Sequence, residues 1–205
     1  HVVYPPTGPN YPSIKQWLEQ HKPTNYSSRG VDACAQIVVF NSFTTHDAGL
    51  AGDKELIQHI TDTILTPLLQ IKRKSQHDKD QAISKILAAA RKNQCVSGKW
   101  LLFCSPKDVD EIWALIAVAT HENKLGVSAK VGPAKDFIRS SSSSSSSFFS
   151  QEIRICVGVT DFDDEKKVQQ CLSHLLELKK QYNLRVKVAS FKPNIFTLLG
   201  LKGEN

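Results

Sequence analysis

The sequence predicts an α+β domain in which one sheet carries its helices on a single face. Residues 152–159 (EIRICVGV) and 184–190 (LRVKVAS) alternate apolar and polar side chains, as half-buried strands do. Segments opening at Asp53, Ser105 and Asp163 instead repeat their apolar residues at helical spacing. The two patterns interleave along 205 residues, 40% of them hydrophobic, which is enough for one packed core. The chain therefore reads as a single domain over 1–205, with an extended N-terminal stretch at 1–13 and a mobile serine-rich loop at 139–150.

Four prolines (Pro5, Pro6, Pro9 and Pro12) bar a regular helix from the first 13 residues, which should run extended over the surface. Ser13 can cap a short helix whose inner side is Ile14, Trp17 and Leu18. The β-branched run 33–40 (ACAQIVVF) is a strand, and 41–52 (NSFTTHDAGLAG) a loop. From Asp53, Leu56, Ile57, Ile60, Ile64, Leu65 and Leu68 mark an amphipathic helix disturbed at Pro67, followed by a polar, basic tail. A second helix carries Ile83, Ile86, Leu87 and Ala90 before the strand KWLLFC. Ser105 and Pro106 then open a helix with Val109, Ile112, Trp113 and Ile116 facing inward. GVSAKVG is a short strand, and eight serines (140–147) lack the apolar surface to offset chain ordering. After strand 152–159, Asp163 and Asp164 start a helix with Val168, Cys171, Leu172, Leu175 and Leu176 in register. Strand 184–190 and the segment FKPNIFTLLGLKGEN complete the order.

A net charge of +6 and a pI near 9.0 favour anionic partners without selecting one. No apolar run approaches the length of a membrane span, and 1–13 lacks the pattern of a secretory signal, so neither membrane insertion nor export is expected. The five cysteines form no CxxC pair; they read as thiols in a reducing cytoplasmic or nuclear setting.

Alternation sorts the strand charges. If Ile153, Ile155, Val157 and Val159 face the helices, Arg154 faces away; the same parity turns Arg185 and Lys187 outward from Leu184, Val186 and Val188, and Lys130 outward from Ala129 and Val131. Lys99 leads its strand beside Trp100. The opposite face would then be basic, as either a solvated surface or one suited to phosphate oxygens.

With these residues in view, SGKWLLF, VDEIWALIAVA, GVSAKVGP, IRICVGVTDF and FKPNIFTLLGL, in order over about residues 95–201, resemble the basophilic leukaemia expressed protein family. The resemblance implies the fold of translation initiation factor 4E, a curved antiparallel sheet with helices across its convex back. It implies structural roles for Trp100 and Trp113, and anion-binding roles for Lys130, Lys135 and Lys192 on the concave side. Cap recognition in that superfamily stacks a methylated guanine between aromatic planes beside a carboxylate. The stretch before SGKW, where a Trp-Glu pair would be expected, is ISKILAAARKNQC, with no such clamp. Phe40, Phe43 and Tyr26 remain as stacking candidates.

No HExxH, GxSxG, P-loop or GxGxxG occurs, and TDFDD (160–164) suits a helix start better than a metal. His46-Asp47 has no nucleophile that can be placed beside it. The expectation is a non-enzymatic module without cofactor, binding RNA, a nucleotide phosphate or another phosphorylated ligand through Lys99, Lys130, Lys135, Arg154, Lys187 and Lys192. The alternative is a scaffold that recruits a protein through its helical face. A hydrolase or transferase using His46 or Asp161 is the third and weakest reading.

Overall fold

The computed structural model describes residues 1–5, 12–30, 33–42, 54–70, 75–140 and 152–201. Of the loops expected at 41–52 and 139–150, residues 43–52 and 141–150, with Phe43, His46 and most of the serine run, lie outside these residues, whereas 139–140 end a short helix.

The sheet has six strands: β1 (Val2–Tyr4), β2 (Ile37–Phe40), β3 (Gly98–Cys104), β4 (Ser128–Val131), β5 (Ile153–Val159) and β6 (Val186–Pro193). Their spatial order is β1-β2-β4-β5-β3-β6. β1 runs parallel to β2 and every other neighbouring pair is antiparallel. Apolar residues of strict alternate parity (Ile37, Val39, Trp100, Leu102, Ala129, Val131, Ile153, Ile155 and Val157) line one face and are buried. Against them pack α1 (Ile14–Gln20), α5 (Val109–His121) and α7 (Glu165–Gln181), contributing Trp17, Trp113, Ile116, Cys171 and Leu175 to one continuous core.

A second, smaller apolar cluster joins α2 (Lys54–Ile60), α4 (Gln76–Lys92) and α8 (Asn194–Leu198) through Leu56, Ile60, Ile86, Ala90 and Ile195. α8 touches β3 and β6, so this cluster is attached where β3 begins and β6 ends. Arg91 on α4 pairs with Asp163 ahead of α7, ring-stacked over Phe162, and ties the cluster to the main layer.

Several local outcomes depart from the sequence expectations for definable reasons. The helix from Lys54 is disturbed ahead of Pro67 rather than at it: a π-helical segment (Thr61–Leu65) precedes the proline and α3 (Thr66–Gln70) continues through it. Proline lacks the N–H that an uninterrupted ladder would need, so widening the preceding turn keeps the helix going. Thr61 and Thr63 hydroxyls donate to the carbonyls of Ile57 and His59, four residues back, in this stretch. α4 begins two turns earlier than its apolar residues suggest, because Ser75 and Asp78 form a reciprocal capping box. α5 begins at Val109; Ser105 and Pro106 belong to the turn before it, where the Ser105 hydroxyl accepts from the Lys107 N–H. The segment after β4 holds a short helix, α6 (Lys135–Ser140), and the N-terminal stretch contains β1, whose Tyr4 is buried among Trp17 and His121.

No described helix is long and apolar enough to cross a membrane. All five cysteines are free, with Cys34, Cys104 and Cys171 buried. Burial pushes the thiols of Cys104 and Cys171 up to about 12, which makes both inert packing groups at neutral pH.

Candidate anion-binding site

The face of the sheet turned away from α1, α5 and α7 follows from strand register. Residues directly opposite each other share a face. One row therefore runs Val38, Lys130, Cys156, Leu101, Ser190 across β2, β4, β5, β3 and β6. The next row runs Phe40, Ser128, Gly158, Lys99, Lys192, and on the other side Arg154, Phe103 and Lys187 align. Five of the six expected ligand residues thus lie on one face: Lys99, Lys130, Arg154, Lys187 and Lys192. They surround a floor of Cys156, Leu101 and Phe103, each half-buried.

Lys192 reaches this face only because β6 is irregular. Strict alternation from Lys187 would turn residues 189, 191 and 193 outward and bury Lys192. The β3–β6 register shifts between Leu101 and Leu102, so that Leu102 opposes Val188 and Leu101 opposes Ser190. Ala189 is the extra residue, and beyond it the phase of the strand is inverted. Phe191 consequently packs against Trp100 on the core side, and its ring lies so close to Gly98 that a Cβ there would meet it at 2.4 Å. Lys192 falls opposite Lys99.

The sixth residue, Lys135, stands apart at the start of α6, just past the end of β4. Its N–H donates to the Tyr26 carbonyl. α6 is held there by Asp136, whose carboxylate accepts from the Ser27 hydroxyl and from both the N–H and hydroxyl of Ser28. These bonds hold the Asp136 carboxyl down at about 2. A depressed carboxyl adds stability above its unfolded pKa and loses it as pH falls through the folded value. Asp136→Asn should therefore lower the urea midpoint at pH 7, and the gap from the parent should close as the pH is taken from about 4 towards 2.

The electrostatics of the open face are one-sided. Among the described residues, Lys99, Lys130, Arg154 and Lys187 form no ion pair with a carboxylate. Burial is the main cause that lowers the pKa of Lys99; Cys156 opposes it, and the positive charges of Lys192, Arg154 and Lys130 each lower it by less. Burial likewise lowers Lys130. The Cys156 thiol is pushed up by burial although Lys99, Arg154 and Lys130 all pull it down. Lys192 is lowered by burial and by Arg154, and its Nζ donates to the Leu201 carbonyl. Cations held this close without counter-charges cost the folded protein stability, and an anion bridging them would relieve that cost.

The aromatic candidates do not assemble a clamp among the described residues. Trp17, Trp100 and Trp113 are all buried. The Trp100 indole donates to the Val168 carbonyl at 3.1 Å. Tyr26 is stacked on His21 at 6.1 Å between centroids and hydrogen-bonded to its Nδ1. Phe40 lies at the margin of the basic rows. Arg185 precedes β6 and is exposed there. Leu101 and Phe103, which form the floor, are absent from the residues that sequence reasoning selects; their alternation with Trp100 and Leu102 is the signal that points to them.

No His, Cys, Asp and Glu cluster suited to a metal occurs among the described residues. Asp161 accepts from the Asp163 N–H, as expected of an acid at a helix entry. The family model described as Bles03, basophilic leukemia-expressed protein Bles03, matches residues 44–200. No curated protein matches the chain.

Proposed function

Since the chain belongs to the basophilic leukemia-expressed protein family, we propose that it is a non-enzymatic module that binds RNA or another phosphorylated ligand on the basic face of its sheet. The observation that carries this reading is the convergence of Lys99, Lys130, Arg154, Lys187 and Lys192 on one face without carboxylate partners among the described residues. Ammonium and guanidinium groups spread over four neighbouring strands suit several phosphate oxygens at once. A likeness to factor 4E belongs to the same proposal; it is supported by the helices gathered on one face and by Trp100 and Trp113 in the core. With all three tryptophans buried, the phosphates rather than a methylated base would supply the binding energy. The proposed setting is the cytoplasm or nucleus, where the five thiols remain free.

The test is a binding panel of capped RNA, uncapped RNA and nucleotides. Affinity should fall steeply with salt, with a log–log slope of about −0.7 for each phosphate neutralised on a single strand. Capped and uncapped RNA should bind alike. No binding at low salt by any member would remove the proposal.

A second reading is favoured by Leu176 and Tyr182, large apolar residues of α7 and its cap that are 48% and 47% exposed on the helical side. A protein partner captured there should survive Lys130→Glu with Lys187→Glu and be lost on Leu176→Asp. The reverse pattern would exclude that reading.

A further inference from the structure

Lys99 differs from the other cations of the basic face. It lies on β3, between β5 and β6, with Gly158 opposite on one side and Lys192 on the other. The Ser128 hydroxyl leans over Gly158, within 2.6 Å of where a Cβ would stand, and so brings a hydroxyl into the row of Lys99. The titratable groups that face Lys99 are Lys192, Arg154, Lys130 and Cys156. Three of these four are cations. Lys192 has its Nζ bound to the Leu201 carbonyl, and Lys187 is exposed. Lys99 is therefore the lysine that combines partial burial, an ammonium directly across the strand pair and further cations along the face.

We propose that Lys99 is a covalent site for phosphorylated aldehydes: its ε-amine condenses with the carbonyl carbon while Arg154 and Lys130 hold the phosphate. The proposal rests on the phosphate reading of the basic face. In the step, the lone pair of the neutral amine forms a C–N bond as the carbonyl π electrons move to oxygen. Proton transfer from nitrogen to that oxygen gives a carbinolamine, and loss of water leaves the imine. Amine and aldehyde become imine and water, with no oxidant or reductant required. Burial and neighbouring cations are the two known means of keeping a lysine amine nucleophilic near neutral pH, and each unit by which a lysine pKa is lowered raises its free-amine fraction about tenfold.

The experiment uses pyridoxal 5′-phosphate as the probe, borohydride to fix the imine, and peptide mapping to locate it. Lys99 should be labelled ahead of exposed lysines such as Lys79, Lys85 and Lys166. Inorganic pyrophosphate should protect it, and pyridoxal without phosphate should label it far more slowly. Lys99→Arg, which keeps the charge, should remove that adduct alone. Arg154→Gln should slow labelling by pyridoxal phosphate more than it slows labelling by pyridoxal. Label spread over Lys79, Lys85 and Lys166 with Lys99 unreacted would overturn the covalent site; salt-dependent RNA binding would then still decide the phosphate reading. Equal labelling by both aldehydes, with no protection by pyrophosphate, would overturn the phosphate-directed step and count against the phosphate reading itself.

Discussion

Trp113→Ala is expected to lower the free energy of unfolding by about 3–5 kcal/mol, a large share of the roughly 5–15 kcal/mol that holds a typical domain together. Trp113 is 1% exposed and sits at the middle of α5, the helix that packs on β2, β4 and β5 and against α1. Truncation would leave a cavity bounded by both layers, and close-packed neighbours relax only partly into such a space. The indole nitrogen has no hydrogen-bond partner among the described residues. Trp113→Phe should therefore be much milder than the alanine change, since it removes apolar volume and an unsatisfied donor together. Trp100 provides the control. Its indole does donate, to the Val168 carbonyl of α7, so Trp100→Phe should lose about 0.5–1.5 kcal/mol for the bond in addition to the volume term. Chemical denaturation of these variants checks this; a Trp113→Phe cost equal to that of Trp113→Ala would refute the argument.

Lys130→Glu combined with Arg154→Glu is expected to weaken RNA binding at low salt by at least about a hundredfold. Charge-assisted hydrogen bonds contribute about 1.5–3 kcal/mol each, and about 1.4 kcal/mol is a factor of ten in affinity. The salt slope should become shallower by about 0.7 for each phosphate that the variant no longer neutralises. The same change should not destabilise the fold, because it removes repulsion from a face whose lysines already carry lowered pKa values. The sign can be checked with pH. A base lowered below its ordinary 10.5 penalises the folded state while it is charged in both states, and the penalty fades as pH rises from the folded pKa to the unfolded one. Lys130→Gln should accordingly be more stable than the parent at pH 7, with the difference shrinking as the pH approaches 10.5. Weaker binding accompanied by equal or greater stability distinguishes a binding surface from a structural one.

Much of this face is legible in the primary structure because strand alternation is a local property. Ile153–Val159 alternates without interruption, so the outward side of Arg154 follows from its neighbours alone. Lys130 and Lys187 follow in the same way. The position of Lys192 does not, because it depends on one unpaired residue, Ala189, and on which residues of β3 it skips; a bulge is a property of the pair of strands and leaves little trace in either. The resemblance to a family makes Lys192 a candidate anion ligand, and register supplies the physical reason it can share a face with Lys99. Lys135 shows the opposite case. Its closeness to Lys130 in sequence groups it with these cations, yet α6, anchored by Asp136, sets it beyond the end of β4. Helix ends escape for a related reason: Ser75 and Asp78 cap α4 through side-chain bonds that apolar periodicity does not register. β1 is three residues long, too short for any period to appear.

That short strand has a consequence for how the molecule behaves among copies of itself. The outer rail of β2 would otherwise offer unpaired amides and carbonyls beside Ile37, Val38 and Val39, an invitation for a foreign strand to dock. β1 occupies those positions, with the Val2 N–H donating to the Gln36 carbonyl and Tyr4 anchored in the core. At the far border, β6 carries the Ala189 irregularity, the charge of Lys187 and a proline without an amide proton. The sheet is thus closed to extension at both borders, by a three-residue plug on one side and by a crooked, charged margin on the other.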